Sequence, residues 1–188
     1  MIRSLAVFAL LTVAACKEEV AQDVTAVPMT AENVGYFCQM GMLEHDGPKG
    51  QAHLAGLPQT PLFFSQVRDV VAYLRLPEQS HELLAMWVND MGAPNATWAA
   101  PGATNWIDAQ TAFFVVGGRV EGGMGAPEIV PFSDREKAAA FADANGGSVM
   151  RLADIPDDDV LAPVAFESDS DDADFEQRLR ALSRETGD

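Results

Sequence analysis

One stretch of the sequence gathers side chains that bind soft metals. Residues 36–54, YFCQMGMLEHDGPKGQAHL, hold one cysteine, two methionines and two histidines. Thiolate and thioether sulfurs are polarizable ligands that favour Cu(I), whereas carboxylate-rich sites suit harder cations. The C-x-M-x-M run at 38–42, with His45 three residues further on, therefore indicates a Cu(I) site with few ligands. The alternative is that Cys38 is a buried, inert thiol in a methionine-rich core.

The sequence lacks the patterns of other common metal sites. Structural zinc sites use paired ligands such as C-x₂-C, calcium loops follow D-x-D-x-D-G, and haem attachment needs C-x-x-C-H. None of these occurs in a chain whose cysteines are Cys16 and Cys38 alone. Copper therefore remains the favoured metal.

A second methionine lies in a glycine-rich segment, GGMGAP at 122–127. A loop offers little apolar surface for a methionine to bury against, so Met124 is a candidate ligand together with Cys38, Met40 and His45. Met42 either covers an edge of the core or adds to the site. Asp90 and Met91 are further candidates for neighbours of the site, although Met91 also suits a core position.

The remaining two histidines are weaker candidates. His53 lies in a predicted strand, on the face opposite Ala52 and Leu54, and we expect an edge histidine whose hydrogen bonds are satisfied. His81 lies in an acidic turn and is expected at the surface.

The first 15 residues predict export. Arg3 is followed by an apolar run that ends at Ala15, and this run is shorter than the roughly 20 residues that span a membrane. It indicates a secretory signal. The sequence VAAC at 13–16 resembles a bacterial lipobox, which implies that Cys16 is lipidated; the alternative is an ordinary signal peptide cut after Ala15. With Cys16 lipidated, Cys38 is the one free thiol and no internal disulfide can form.

The charge excludes one class of partner. Against 12 basic residues stand 28 acidic ones, for a net charge of −16. Nucleic acids bind basic surfaces, so no nucleic-acid role is expected. An anionic membrane would repel this chain, so the lipid anchor alone should hold it there. Residues 16–35 are predicted to be a polar tether and residues 154–188 a solvated acidic tail, in which Phe175, Leu179 and Leu182 recur at the spacing of a short helix.

An internal repeat predicts the fold class. Aligning Phe64-Ser65 with Phe132-Ser133 gives two similar segments 68 residues apart. Each runs from strands into a helix and then into another strand, and Ser65 and Ser133 are expected to be the helix N-caps, with Glu136 completing a capping box. A three-stranded sheet with one helix buries one face, so the two copies should pack together. The sequence thus predicts an α+β protein of two similar ββαβ units, at 36–100 and 101–153. The expected strands are 51–54, 62–64, 83–88, 111–116, 129–132 and 148–152.

These segments together resemble the NosL family, the accessory proteins of nitrous oxide reductase. The resemblance rests on the lipobox and on CQMGMLEHDGPKGQ, VNDM, WIDAQTAFFVV and GGMGAPEIVPF at 38–51, 88–91, 106–116 and 122–132. It implies a periplasmic, lipid-anchored copper chaperone, not an enzyme, with two ββαβ-like units similar to the organomercurial lyase core. Such a protein passes Cu(I) to a maturation machinery that includes an ABC-transporter complex, and through it to the copper centres of the reductase. Lys17 after the lipidated cysteine favours the outer membrane.

By the same resemblance, Cys38 and Met40 match the family's C-x-M ligands and Met124 the methionine of its GGMG segment. His45 matches the histidine of an H-x-G-P-K run and is a further ligand. Asp90 and Met91 match a family motif of unassigned role. The competing hypothesis is a thiol enzyme of organomercurial-lyase-like architecture that uses Cys38 as nucleophile and His45 as base. Such an enzyme needs further thiols or an acid, and one mature thiol does not provide them.

Overall fold

The protein is built on two antiparallel sheets. The computed structural model describes residues 21–58 and 60–163. In the order β2-β1-β3-β4, the first sheet contains β1 (Gly50–Leu54), β2 (Leu62–Phe64), β3 (Leu83–Asn89) and β4 (Trp106–Asp108). In the order β6-β5-β7, the second contains β5 (Phe113–Val116), β6 (Val130–Phe132) and β7 (Ser148–Met150). The helices are α1 (Val67–Arg75), α2 (Arg135–Asn145) and α3 (Asp158–Leu161).

The internal repeat is present in the connectivity. In both sheets the first strand of the repeat is central, the second pairs with it as a hairpin, and the third joins its other side after a helix. Gly50 pairs with Phe64 in one hairpin and Phe113 with Phe132 in the other. The prediction of an α+β fold with two similar ββαβ units is confirmed.

Strand β4 was not predicted. Its central residue, Ile107, pairs with Val88 of β3, so the first sheet extends beyond residue 100, where the second unit was expected to begin. A strand of three residues is too short to show a hydrophobic period, and it is recognised only by its partner.

One hydrophobic core joins the two units. Phe114, Val116 and Ile129 of the second unit pack in the same buried cluster as residues of β1 and α1. All five residues of β1 are buried, because this strand is paired on both sides and covered by α1. The two glycine-containing loops at residues 38–50 and 122–127, one from each unit, are thereby held against each other.

The predicted helix N-caps are wrong by one residue in each copy. At α1 the cap position is Gln66, whose side chain makes no capping bond. At α2 the cap is Asp134, whose carboxylate accepts hydrogen bonds from the backbone N–H groups of Glu136 and Lys137. Ser133 instead donates its hydroxyl to Asp90 at 2.5 Å, so it does not form the predicted capping box with Glu136. Helix α2 ends at Asn145, and its C-cap residue Gly146 lies at φ 79°, a backbone conformation that glycine adopts readily.

Both ends of the described chain pack more closely than expected. Ile155 and Val160 are buried in the main core, so the expectation of a fully solvated segment from residue 154 is wrong for these two side chains. Within the predicted tether, Met29 is buried and the N–H of Val27 donates to Gln51 Oε1 at 2.9 Å. The predicted signal peptide, Cys16 and the predicted helix around Phe175 lie outside the described residues. In the part of the chain that the structure describes, no helix has the length and apolar character needed to cross a membrane.

Candidate metal site

Cys38 and His45 lie side by side in the first loop, which comprises residues 38–50. The distance from Cys38 Sγ to His45 Nε2 is 3.7 Å. Two features of the chain produce this approach. The N–H of Gly35 donates to Met40 O at 2.9 Å, which closes a tight turn with Gln39 in the left-handed region at φ 56°. A short 3-10 helix, Met42–Glu44, then returns the chain so that His45 faces the thiol.

Gly35 makes room for the thiol. A Cβ added there would lie 2.5 Å from Cys38 Sγ and 3.7 Å from Met42 Sδ. Met42 itself is fully buried and packs with Met29 and Phe63. Its thioether therefore belongs to the core, which was one of the two alternatives for Met42.

The second loop, residues 122–127, reaches the first at its glycines. A Cβ at Gly123 would lie 2.6 Å from His45 Cβ and 3.0 Å from Asp46 O, so the two loops touch at the residue next to Met124. The N–H of Gly125 donates to Gly122 O at 2.9 Å, which closes a turn around Met124. Met40 and Met124 are 42% and 40% exposed. The structure thus brings a thiol, an imidazole and two accessible thioether side chains to adjoining loops.

Lys49, which is not predicted as a site residue from the sequence, is a buried cation beside this site. Its side chain is 1% exposed, and Nζ donates to the carbonyls of Asp46 at 2.9 Å and Gly47 at 2.6 Å. Burial lowers the pKa of Lys49 to about 8, while the nearby charges of Glu128, Asp46 and Cys38 oppose that shift. With Met29, Met42 and His45 it lines a cavity of about 250 Å³. Nothing in the local sequence marks it, because a lysine between Pro48 and a strand is ordinarily a surface residue.

Glu128 is the corresponding buried acid, directly after the second loop. One carboxyl oxygen, Oε1, accepts hydrogen bonds from the backbone N–H groups of Arg68 at 3.1 Å and Ile129 at 2.9 Å. The other, Oε2, is buried without a hydrogen-bond partner among the described residues. Burial raises the pKa of Glu128 to about 8, against the effect of the two backbone hydrogen bonds. Because Arg68 is in the first turn of α1, this side chain supplies the cap that Gln66 does not.

Asp90 and Met91 are placed at the junction with α2 instead of in either loop. The Asp90 carboxylate accepts hydrogen bonds from the Ser133 N–H and hydroxyl, and Met91 packs with Val130 and Phe132. Their sequence pattern therefore reflects the joining of the two sheets.

The other histidines have local roles. His53 is buried, its Nε2 lies 3.1 Å from Gln51 Oε1, and burial lowers its pKa. Its polar contact is satisfied as expected, but β1 is a central strand, so the expected edge position is wrong. His81 is exposed, as predicted, with Nδ1 3.2 Å from Ala55 O.

The donor set fits a soft metal ion. A thiol and an imidazole 3.7 Å apart can close on one ion by a small side-chain movement, and thioethers add soft sulfur donors without adding charge. Within residues 21–58 and 60–163, no three His, Cys, Asp or Glu side chains are gathered where they could share a metal ion.

Comparison with known proteins gives a consistent result. The NosL family model matches residues 26–160. A copper-binding lipoprotein NosL from Achromobacter cycloclastes is 56% identical over 181 residues, which cover 95% of this chain and 93% of the relative. A copper-binding lipoprotein NosL from Stutzerimonas stutzeri is 31% identical over 140 residues, which cover 74% of this chain and 70% of the relative.

A solved structure supports the same architecture. The crystal structure of the copper chaperone NosL from Shewanella denitrificans matches with a TM-score of 0.64 and 32% identity, over 69% of this chain and 94% of that one. These relatives are named as copper-binding lipoproteins and as a copper chaperone. These names describe copper binding and copper carriage, and none of the three names an enzymatic activity.

Proposed function

The chain belongs to the NosL family, and on that premise we propose that it is a lipid-anchored Cu(I) chaperone for nitrous oxide reductase. The observation that carries the proposal is the 3.7 Å approach of Cys38 Sγ to His45 Nε2, next to a second loop that presents Met124. The two loops belong to different ββαβ units, and the fold holds them in contact.

The ligand chemistry favours Cu(I) over Cu(II). One thiolate and neutral thioethers suit the monovalent ion, whereas Cu(II) prefers nitrogen and oxygen donors in tetragonal geometry. Cys38 binds as the thiolate, so metal binding releases a proton and weakens in acid. Exposed methionines leave the metal open to attack by ligands of a recipient, as a carrier requires.

The cellular role follows from the family and from the N-terminal sequence. Lipidation of Cys16 would anchor the protein on the periplasmic face, with the outer membrane as the expected location. The proposed recipient is the maturation machinery with its ABC-transporter complex, and through it the reductase. The anchor is the sole membrane attachment in this proposal.

The site is tested by anaerobic Cu(I) titration of the reduced, full-length protein against a chromogenic Cu(I) chelator. We expect Cys38→Ser to abolish tight binding, and Met40→Leu or Met124→Leu to weaken it about tenfold, or about 1.4 kcal/mol each. Met150→Leu is the matched control, because Met150 lies in β7 and packs against the core. Tight binding that survives Cys38→Ser would exclude this site.

Delivery and anchoring need a test in cells. A strain lacking the gene should accumulate reductase protein without its copper centres, as measured by metal analysis and absorption of the purified enzyme. Complementation with the wild-type gene should restore copper, and Cys38→Ser should not. A fully metallated reductase in the deletion strain would contradict the delivery role, and Cys16→Ser protein that stays in the membrane fraction would contradict lipid anchoring.

A further inference from the structure

Lys49 fixes the turn that follows His45. Its ammonium donates to the carbonyls of both Asp46 and Gly47, and the whole side chain is buried. Gly47 is held further by its N–H, which donates to Trp98 O at 2.7 Å. A buried ammonium is costly unless its hydrogen bonds are satisfied, and here the two carbonyls satisfy them. If an apolar side chain replaced Lys49, both carbonyls would lose this donor and would no longer be held by it.

Glu128 fixes the second loop at its C-terminal end. Its carboxyl oxygen Oε1 accepts hydrogen bonds from the N–H of Ile129, the residue before β6, and from the N–H of Arg68 in α1. Gln66 adds a weaker bond, with Nε2 donating to Ala126 O at 3.4 Å. The loop that carries Met124 is thereby tied to the first helix of the other unit.

Two adjacent glycines fit the second loop into the space between these groups. Gly123 lies against His45 and Asp46 of the first loop. Gly122 lies against the other wall, where an added Cβ would be 2.2 Å from Gln66 Nε2 and 2.5 Å from Glu128 Oε2. The backbone of the second loop is thus enclosed between a turn held by Lys49 and a helix end held by Glu128.

We propose that Lys49 and Glu128 are positioning residues of the copper site, Lys49 for His45 and Glu128 for Met124. The inference rests on the proposed Cu(I) function and assigns a role to two buried residues that bind no metal themselves. Ligands on exposed loops lose conformational freedom when they bind, and a loop ordered in advance loses less. Partners that orient metal ligands commonly change metal affinity by about 10-fold to 100-fold when they are removed.

The first experiment is a double-mutant cycle on Cu(I) affinity with the full-length protein. We expect Glu128→Leu to weaken Cu(I) binding about 10-fold in the wild type and to have almost no effect in the Met124→Leu background. Lys49→Met should likewise weaken Cu(I) binding about 10-fold in the wild type and have almost no effect in the His45→Ala background. Glu128→Gln keeps an acceptor oxygen for both N–H groups and should retain most of the affinity, whereas Glu128→Leu should not.

The matched control is Glu121→Leu, the same substitution at an exposed position just before the second loop. It should leave the affinity unchanged. If Glu128→Leu does not fold, the Lys49→Met and His45→Ala cycle alone decides the proposal. Additive losses in that cycle, or wild-type affinity in a folded Lys49→Met protein, would overturn it.

The second experiment needs no metal. In the apo protein, amide hydrogen exchange at residues 122–127 should be faster in Glu128→Leu than in Glu121→Leu, while exchange in β1 stays slow. Equal exchange at 122–127 in both variants would overturn the role of Glu128. If the proposed Cu(I) function itself is wrong, the outcome is different, because Cys38→Ser would then leave Cu(I) binding unchanged.

Discussion

Glu128 is a carboxyl group that the fold encloses completely, and its ionisation therefore opposes folding. Its pKa rises from 4.5 to about 8 in the folded chain. Between these pH values the folded state keeps a proton that the unfolded state has lost, so this group's contribution to stability is lost as the pH rises. Lys49 acts in the opposite direction and only above pH 8, since its pKa falls from 10.5 to about 8.

The pH dependence of unfolding tests this residue-scale argument. We expect the free energy of unfolding of the wild type to fall steadily, relative to that of Glu128→Gln, from pH 5 to pH 8. Urea titrations of both apo proteins at each pH measure the difference. Exposed Glu136→Gln gives the parallel series for loss of a surface carboxyl. A wild-type-to-variant difference that is constant across this range would contradict the buried, protonated state of Glu128.

Cys38 also shows what a residue type conveys by itself. With Met40, His45 and Met124, it was a candidate ligand from the sequence alone, because sulfur and imidazole side chains are the donors that soft metals prefer. Lys49 and Glu128 were not recognised, because a lysine beside a glycine and a glutamate after a proline are ordinary surface residues until a fold buries them.

At the scale of elements, α2 depends on Asp134. The carboxylate accepts hydrogen bonds from Glu136 N at 2.8 Å and Lys137 N at 3.0 Å, which would otherwise have no partner in the helix. The sequence predicts Ser133 as the cap, because a short apolar strand runs directly into this serine. The Ser133 hydroxyl instead donates to Asp90, the residue directly after β3 of the other sheet. The local sequence pattern does not show this long-range hydrogen bond.

We therefore expect Asp134→Ala to destabilise the protein by about 1 kcal/mol, the usual loss for a removed N-cap. Asp143→Ala is the matched control, since Asp143 is exposed in the same helix near its C-terminal end. Thermal unfolding followed by circular dichroism measures both. Equal melting temperatures for the wild type and Asp134→Ala would show that Asp134 contributes no capping energy.

At the scale of the whole molecule, the segment 155–162 completes the core. Ile155 and Val160 are 3% and 4% exposed, and the guanidinium of Arg68 donates to the carbonyls of Asp159 and Ala162. The acid-rich sequence DIPDDDV suggested a solvated tail, because its two apolar residues are too few to show a period. The segment nevertheless packs against α1, so these two side chains are buried despite its acidic composition.

Ile155→Ala should accordingly cost about 2–4 kcal/mol, as for other buried aliphatic truncations. Leu161→Ala, at a side chain that is 41% exposed in the same segment, should cost less than about 0.5 kcal/mol. Chemical unfolding of the full-length variants gives both values. A small loss for Ile155→Ala would mean that this segment contributes little to the core.

The sequence by itself determined which side chains could act as soft-metal donors, the repeated ββαβ pattern and the approximate bounds of most strands. These depend on side-chain type and on periodicity within a few residues, which local interactions enforce. The tertiary structure decided which donors meet: it turned His45 onto Cys38, placed Gly123 against that pair and moved Asp90 and Met91 to another junction. It also buried Lys49 and Glu128 beneath the loops, because burial depends on contacts between residues far apart in the chain.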